Sequence, residues 1–379
     1  MSQRLVLAGA GHAHAQVLQA WRDAPLPGTE LVVVSPHALA PYSGMVPGWL
    51  AGTYRFNDIV IDFPALCRAA GARWIPSAID RLDPDRQCVH LENGEALAYD
   101  RLSLNIGSTL IPPQGEFTAK VLSMRPLSQL RGDYEQLLDQ WRADSHDGPF
   151  RVTAIGGGAA GFESLLAVLR RLRQLRPDRR VHSALRARSA ELLPGYPAAA
   201  RRQAWQALQT AEADVQLGAS WSDAVGRNSD LVLWATGAQA HAWQRTSARR
   251  GGLAVSADGF VLIDDSLRSV SHPNIFAAGD CAHWRAPLPK AGVYAVRMGP
   301  VLAHNLHAAS AGLALQTYAP QKNFLSLLAT ADGRAIASRG ALSLSGRWAW
   351  RLKDRIDRGF VRRFAPSSDH LISVQGETP

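Results

Sequence analysis

Short apolar runs that end in glycine-rich turns and lead into helical periodicity occur twice along the chain. Arg4–Ala8 is such a run, followed by a helical stretch to about Asp23 and a second apolar run at Leu31–Val34. Arg151–Ile155 and Val181–Leu185 enclose the second turn and a leucine- and arginine-rich helical stretch. Each segment has the strand–helix–strand order of a parallel nucleotide-binding sheet. The pattern therefore predicts an α/β fold with two Rossmann-like, three-layer units.

The remaining periodicity predicts how the two units are connected. Ser123–Pro149 reads as a helix with a polar linker, Asp230–Trp234 and Asn274–Ala278 as strands, and Gly292–Ala308 as a helix. A hairpin is expected between residues 215 and 230. From about residue 319 the chain becomes strand-rich and then basic. We therefore expect one unit at residues 1–122 and 238–318, a second inserted at 123–237, and a small C-terminal extension at 319–379.

Composition excludes several classes of protein. The 379 residues are 46% hydrophobic and 19% charged, as in folded globular proteins and unlike disordered ones. Three cysteines are too few for a disulfide framework or a zinc site, which favours a reducing, cytosolic compartment. The net charge of +9 favours anionic partners, but there is no nucleic-acid motif. No apolar stretch reaches the roughly 18 residues of a membrane-spanning helix. The protein is therefore expected in the cytoplasm, or at the cytoplasmic face of a membrane.

The first glycine turn comprises Gly9, Ala10, Gly11 and His12. Glycines allow a tight turn and close approach of a pyrophosphate, which free N–H groups at the following helix start can hold. His14 stands where the third glycine of the motif normally lets helix and strand pack closely. We therefore expect the helix to stand off slightly or His14 to turn outward. A metal site at His12 and His14 is not expected, because no third ligand is nearby.

The second glycine turn is complete. It places Gly156, Gly158 and Gly161 at the motif spacing, with Ala159 between them and Glu163 just beyond. Both turns follow a predicted strand and precede a predicted helix, the context that makes a GxGxxG motif informative.

Neither unit carries the acidic residue that commonly binds a ribose about 20 residues after the glycines. Ser35 ends the strand after the first turn and can still bond a ribose hydroxyl. After the second turn, Arg186 and Arg188 suit a 2′-phosphate and hence NADPH, or else they are simply solvated. The sequence leaves these two readings open.

Together these motifs resemble a known family. GAGHAHA, GGGAAGFE, LVLWATG and NIFAAGD are similar to the two-dinucleotide-fold flavoproteins of the pyridine nucleotide-disulfide oxidoreductase superfamily, which includes type II NADH dehydrogenases and sulfide:quinone oxidoreductases. SPHALAPYSGMVPGWLAG and PLPKAGVYAVRMGPVLAHNL resemble, more narrowly, the NADH-dehydrogenase-like flavoproteins often fused to or encoded with selenophosphate synthetase (selenide, water dikinase). Any selenium link would then run through a selenophosphate synthetase partner.

The resemblance implies FAD on the first unit and NAD(P)H on the second. Lys290 would stabilise charge on the reduced flavin, and Glu163 would approach the nicotinamide, so these two are the candidate catalytic residues. The residues implied for FAD are Gly9, Ala10, Gly11, His12, Ser35, Gly107, Ser108, Gly237, Gly279, Asp280, Lys290 and Ala291. Those implied for NAD(P)H are Gly156, Gly158, Ala159, Gly161, Glu163, Arg186 and Arg188.

The resemblance further implies hydride transfer from NAD(P)H to FAD, and then electron transfer to a quinone or other small acceptor. No paired cysteine motif stands where disulfide reductases carry one. Two alternatives stay open: a reductase of selenium or sulfur species, and a low-turnover FAD-binding partner or regulatory protein.

The C-terminal segment predicts a basic amphipathic helix. Its apolar residues recur every four positions, which predicts one stripe formed by Trp348, Leu352, Ile356, Phe360 and Phe364. Seven Lys or Arg residues stand against two Asp residues between positions 347 and 363. Such a helix over 347–364 either lies on an anionic membrane surface or covers the protein body or a homodimer partner.

Overall fold

The computed structural model describes residues 3–286, 288–321 and 323–365. In chain order, the strands of this part are β1 (Gln3–Ala8), β2 (Thr29–Val34), β3 (Leu39–Pro41), β4 (Val60–Asp62), β5 (Arg73–Ile75), β6 (Ile79–Asp83), β7 (Cys88–Leu91), β8 (Ala96–Ala98), β9 (Arg101–Leu104), β10 (Lys120–Ser123), β11 (Phe150–Ile155), β12 (Val181–Ala187), β13 (Ala213–Leu217), β14 (Leu231–Trp234), β15 (Val261–Ile263), β16 (Ile275–Ala277), β17 (Ala282–Trp284), β18 (Ser326–Ala329), β19 (Ala335–Arg339) and β20 (Leu342–Gly346).

The helices of the same ranges are α1 (His12–Asp23), α2 (Val46–Leu50), α3 (Phe63–Ala69), α4 (Leu127–Ala143), α5 (Ala159–Leu175), α6 (Ala198–Thr210), α7 (Asp223–Arg227), α8 (Ala242–Arg245), α9 (Ser247–Arg250), α10 (Gly292–Ala311) and α11 (Arg347–Arg362).

The first sheet has the strand order β16-β9-β1-β2-β5 with parallel neighbours throughout. Its strands read as continuous apolar runs because helices cover the sheet. Leu5, Val6 and Leu7 are at most 1% exposed. Helices α1 and α10 pack against each other beside this sheet. The glycine turn after β1 therefore lies at the carboxyl edge of a buried parallel sheet, where ligands bind in such folds.

The second sheet has the order β10-β14-β11-β12-β13 and is also parallel. Its strands lie between β9 and β16 in sequence, although β9 and β16 pair with each other in the first sheet. The prediction of an α/β fold with two Rossmann-type units, one inserted in the other, is confirmed. The division predicted between residues 122 and 123 falls inside β10, so the chain enters the second sheet slightly earlier, before Lys120.

Two parts differ from the sequence-based expectation. The hairpin expected between residues 215 and 230 is wrong, because β13 pairs only with β12 and the chain continues into α7. An antiparallel sheet β6-β7-β8 was not anticipated from the sequence. The strand-rich extension forms another antiparallel sheet, β18-β19-β20, on which α11 packs.

The single apolar stripe predicted for the C-terminal helix is also wrong. Residues four apart rotate by about 40° per step around an α-helix, so a run of five positions drifts around its side. The buried face of α11 consists of Ala349, Lys353, Asp357 and Phe360, whereas Trp348 and Ile356 are 50% and 45% exposed. Helix α11 thus covers the protein body with one face and presents apolar and basic side chains on another. None of the helices in the described ranges is long and apolar enough to cross a membrane.

Candidate functional site

The first glycine turn is shaped by Asn105, at the end of β9. A Cβ on Gly9, whose φ is +103°, would lie 2.4 Å from the Asn105 carbonyl oxygen, and one on Gly11 would lie 2.0 Å from Asn105 Oδ1. Asn105 Oδ1 accepts hydrogen bonds from the backbone N–H groups of Ala13 and His14, at 3.0 and 3.3 Å. Its Nδ2 donates to the Ala278 carbonyl at 2.6 Å. Sequence reasoning missed Asn105, because its partners lie about 90 and 170 residues away in the chain.

His14 does not turn outward, so that expectation is wrong. The side chain is fully buried, with Nδ1 2.7 Å from the Gly9 carbonyl oxygen and Nε2 2.8 Å from Ser103 Oγ. Burial lowers the pKa of His14 to about 4, so the imidazole is neutral near pH 7. A neutral histidine with both ring nitrogens hydrogen-bonded takes the place of the third glycine.

His12 lies at the N-terminus of α1, between the glycine turn and the C-terminal helix. Its ring centroid lies 5.3 Å from that of Tyr42 and 6.1 Å from that of Phe360. Burial lowers the pKa of His12 to about 4. Among the described residues its buried Nε2 has no hydrogen-bond partner. Buried polar atoms normally have a hydrogen-bond partner. The missing partner of His12 Nε2 therefore suggests that a bound molecule supplies it.

Asp280 and Ser108 meet at a guanidinium that the sequence did not single out. Arg125 Nη1 donates to both Ser108 Oγ and Asp280 Oδ2, and Ser108 Oγ also lies 3.2 Å from Asp280 Oδ2. Arg125 Nη2 donates to the Lys290 carbonyl at 2.8 Å. Arg125 follows β10 of the second sheet, whereas Asp280 follows β16 of the first. It therefore ties the two units together beside the first glycine turn.

The Lys290 ammonium is held by protein groups. Its Nζ donates to the Ala282 carbonyl at 2.5 Å and lies 3.9 Å from the centroid of the Phe260 ring. Burial lowers the pKa of Lys290, while Asp280 opposes that effect. Ala291, the next residue after Lys290, is the N-cap residue of α10.

The second glycine turn packs more tightly than the first. A Cβ on Gly156 would lie 2.2 Å from the Ala235 carbonyl oxygen, and one on Gly161 would lie 1.9 Å from the Gly156 carbonyl oxygen. Gly158 is the N-cap residue of α5 and has open space where a Cβ would be. Arg186 and Arg188 lie at and just after the end of β12, with Arg186 partly buried and Arg188 exposed.

Glu163, in the first turns of α5, belongs to a buried charged cluster. Its Oε1 accepts a hydrogen bond from the Ala329 N–H at 2.7 Å. Burial raises the pKa of Glu163 to about 7, with Asp357 adding to the rise and Lys353 opposing it. Lys353 Nζ donates to Asp357 Oδ2 at 2.7 Å and to the Gly44 carbonyl at 2.6 Å. The cluster therefore joins the second unit to the C-terminal helix.

A cavity of about 1510 Å³ connects these features. The predicted residues that line it are Gly9, Ala10, Gly11, His12, Ser35, Gly107, Ser108, Ala159, Glu163, Asp280, Lys290 and Ala291. The predicted residues outside its lining are Gly156, Gly158, Gly161, Arg186, Arg188, Gly237 and Gly279. Residues from both units thus share one cavity, whereas the rest of the second glycine turn and the end of β12 lie beyond it. Its size, its glycine cradle and the unpartnered His12 Nε2 fit a large dinucleotide such as FAD.

The cysteines take no part in this cavity's lining. All three are free, and burial raises the pKa of Cys67 to about 12 and that of Cys281 to about 11. Reactive cysteines need the opposite, a lowered pKa that provides the thiolate. The described residues also contain no group of three or more His, Cys, Asp or Glu side chains placed to hold a metal ion.

Comparison with solved structures supports the two-unit fold. Sulfide:quinone oxidoreductase from Aquifex aeolicus superposes with a TM-score of 0.75 at 18% identity, covering 97% of this chain and 94% of that one. NDH2 from Plasmodium falciparum gives a TM-score of 0.75 at 11% identity, covering 96% and 97%. At such identities the likeness concerns the fold alone.

Among curated proteins, ferroptosis suppressor protein 1 of Xenopus tropicalis is 28% identical over 257 residues, which is 62% of this chain and 63% of that protein. The chain thus spans less than two thirds of the length of this relative. The model of the pyridine nucleotide-disulphide oxidoreductase family matches residues 3–307, most of the chain and both glycine turns. The family and its structural neighbours bind FAD and NAD(P)H. The chain therefore belongs to the pyridine nucleotide-disulphide oxidoreductase family.

Proposed function

We propose that this protein is an FAD-dependent NAD(P)H oxidoreductase of the type II NADH dehydrogenase kind, which passes electrons to a quinone or another small acceptor. The observation that carries the proposal is the shared cavity. The first glycine turn, Ser108 and Asp280 line it from one side, and Ala159 and Glu163 of the second unit line it from the other. A donor on the second unit can therefore reach a flavin on the first.

A bound FAD would supply the two-electron chemistry that links a nicotinamide donor to a second substrate. The cradle at Gly9 and Gly11 admits a pyrophosphate close to the backbone, and the start of α1 offers N–H groups to it. Arg125 fixes the Asp280 carboxylate and the Ser108 hydroxyl in one orientation, which suits them to bind ribityl hydroxyls. These groups bind and orient; none of them acts as a nucleophile.

Glu163 is the candidate for holding a proton. With a pKa raised to about 7 it takes up or releases a proton near neutral pH, the range in which general acid–base groups work best. The neighbouring Lys353–Asp357 pair is 6% and 5% exposed, so the cluster is screened from bulk water. Glu163 can therefore exchange protons with a substrate in the cavity as electrons leave.

The three free cysteines bear on the nature of the electron acceptor. All three cysteines are free, so the chain has no redox disulfide to carry electrons from the flavin to the acceptor. One structural neighbour is named as a sulfide:quinone oxidoreductase, and a quinone accepts electrons without a protein nucleophile. A selenium or sulfur species, with or without a selenophosphate synthetase partner, is the competing acceptor.

We further propose that the C-terminal extension contacts an anionic membrane surface. Leu342 and Leu344 of β20 are 79% and 66% exposed, and Trp348 and Ile356 of α11 are also exposed. The arginines at 347, 351, 355 and 362 lie exposed on the same helix. Exposed apolar side chains beside a row of arginines match an acidic lipid interface.

The deciding experiment for the activity is an anaerobic titration of the flavin-loaded protein with NADH and NADPH, followed by flavin absorbance. We expect rapid bleaching by at least one nucleotide, and reoxidation by a soluble quinone faster than by selenite or polysulfide. Absence of bleaching by both nucleotides would leave a flavin-binding partner protein as the better description. Reoxidation only by selenium or sulfur species would assign the competing acceptor.

Membrane contact is tested by co-sedimentation with vesicles of phosphatidylglycerol and phosphatidylcholine. The double variant Leu342→Ser/Leu344→Ser removes exposed apolar groups without touching the buried face of α11. We expect it to lower the bound fraction several-fold, and high salt to do the same. Equal co-sedimentation of both proteins would argue against a membrane surface as the partner.

A further inference from the structure

The end of β12 carries a structural feature that the proposed function leaves unused: two arginines without an acidic neighbour. Resting on that function, we infer that Arg188, supported by Arg186, binds the 2′-phosphate of NADPH and makes NADPH the preferred electron donor. The site lies in the second unit, outside the cavity described above.

The position of the site follows from backbone geometry. The Gly156 N–H donates to the Arg186 carbonyl at 2.8 Å, and the Ala187 Cβ would lie 2.7 Å from a Cβ on Gly157. The end of β12 therefore touches the second glycine turn. When a pyrophosphate lies on such a turn, the adenosine ribose reaches the end of the adjacent strand.

At that point the chain has no carboxylate to accept the two ribose hydroxyls of NADH. Ala187 faces the glycine turn, and Arg188 and Ser189 follow it. The nearest acidic side chain along the chain, Glu191, is ion-paired with Arg201 at 2.6 Å. A carboxylate already paired with a guanidinium is a poor acceptor for ribose hydroxyls. It also repels a 2′-phosphate less than an unpaired carboxylate would.

The two arginines are free to bind an anion. Within the described ranges, no hydrogen bond or ion pair engages the side chain of Arg186 or Arg188. The backbone around them is held: the Ala219 N–H donates to the Ala187 carbonyl at 2.9 Å, and the Gly218 N–H to the Ser189 carbonyl at 3.1 Å. A fixed backbone with two unpaired guanidinium groups suits a doubly charged phosphate, which arginine can bind in a bidentate manner.

The test compares the two nucleotides on the full, flavin-loaded protein. We expect NADPH to reduce the flavin with a kcat/KM about tenfold or more above that of NADH, a difference of about 1.4 kcal/mol. Arg188→Ala should raise the KM for NADPH about tenfold and leave that for NADH within about twofold, because only NADPH carries the 2′-phosphate. Arg188→Ala/Arg186→Ala should remove the preference.

A matched control is Arg180→Ala, the same loss of charge at the opposite end of β12, where the side chain is exposed. It should leave both KM values unchanged. Glu191→Gln should not weaken NADH binding, since the Glu191 carboxylate is already ion-paired with Arg201. A binding readout that needs no turnover is competition by 2′,5′-ADP against 5′-AMP, and the wild type should bind the former at least about tenfold more tightly.

The outcomes separate this inference from the proposed function. Reduction by NADH with equal or higher efficiency than by NADPH would overturn the inference while the oxidoreductase remains. A large loss of NADH binding in Glu191→Gln would also overturn it, by showing an acidic ribose contact. If neither nucleotide reduces the flavin, the proposed function fails, and equal binding of the two adenosine phosphates would then reject the 2′-phosphate site as well.

Discussion

The two glycine turns both bring the start of a helix close to the end of a strand, but the residues that make this contact differ. In the second turn, Gly161 packs so tightly that a Cβ would lie 1.9 Å from the Gly156 carbonyl oxygen. In the first, His14 occupies the corresponding place and hydrogen-bonds the Gly9 carbonyl and Ser103. A motif glycine can thus be replaced by a large side chain when that side chain satisfies the polar groups it meets.

The comparison predicts its largest effect at Gly161. Gly161→Ala should destabilise the protein by about 4 kcal/mol or prevent folding of the second unit, because its new Cβ meets backbone that cannot move aside. Urea denaturation would measure the change. Gly158→Ala is the matched control, since open space surrounds its Cβ position. Similar losses in both variants would show that the contact at Gly161 is not the cause.

Substitution of His14 in the first glycine turn should have a smaller effect on the free energy of unfolding. His14→Ala should cost about 2 to 3 kcal/mol near pH 7, because it opens a cavity and leaves the Gly9 carbonyl and Ser103 without these partners. The folded-state pKa of His14 is lowered to about 4, so its stability contribution is present above the unfolded value of 6.5 and lost as pH falls towards 4. The difference between wild type and variant should therefore shrink on acidification. A difference that is constant from pH 7 to pH 4 would contradict a buried neutral imidazole.

Glu163 should give the second unit the opposite pH dependence. Its folded-state pKa is raised from 4.5 to about 7, so the associated stability is present below pH 4.5 and lost as pH rises through 7. Glu163→Gln keeps an acceptor for the Ala329 N–H and does not titrate. The variant should therefore gain up to about 3 kcal/mol relative to wild type between pH 4.5 and 8. Parallel stability curves over this range would place the titration elsewhere, for example at Asp357.

Variants of Arg125 test whether the link between the two units helps the protein to retain FAD. Arg125→Ala frees Asp280 and Ser108 and should weaken FAD retention about tenfold, equivalent to about 1.4 kcal/mol. Arg125→Lys keeps the charge but not the forked contacts, so it should recover only part of the loss. Equilibrium dialysis of FAD measures both variants. Unchanged retention in Arg125→Ala would limit Arg125 to a structural role.

The parts of the molecule that could be predicted from sequence are those determined by local order. Strand, glycine turn and helix follow one another within about 25 residues, so both nucleotide-binding units were predictable. Asn105 and Arg125 were not, because their partners lie 92 and 155 residues away along the chain. The single apolar stripe predicted for the C-terminal helix is wrong because positions four apart do not share one face of an α-helix over four turns. Lys353 and Asp357, two charged residues, occupy the buried face because each neutralises the other.

The C-terminal helix has a consequence for how a cofactor enters and leaves. Phe360 packs against Tyr42 with a centroid distance of 4.7 Å, and Lys353, Ile356 and Asp357 form part of the cavity wall. The last helix of the described chain thus supplies part of the wall of a cavity whose glycine turn comes from the first strand and helix. Loosening of this helix would widen the cavity without unfolding either sheet, so the local stability of α11 bears on how fast a bound dinucleotide exchanges.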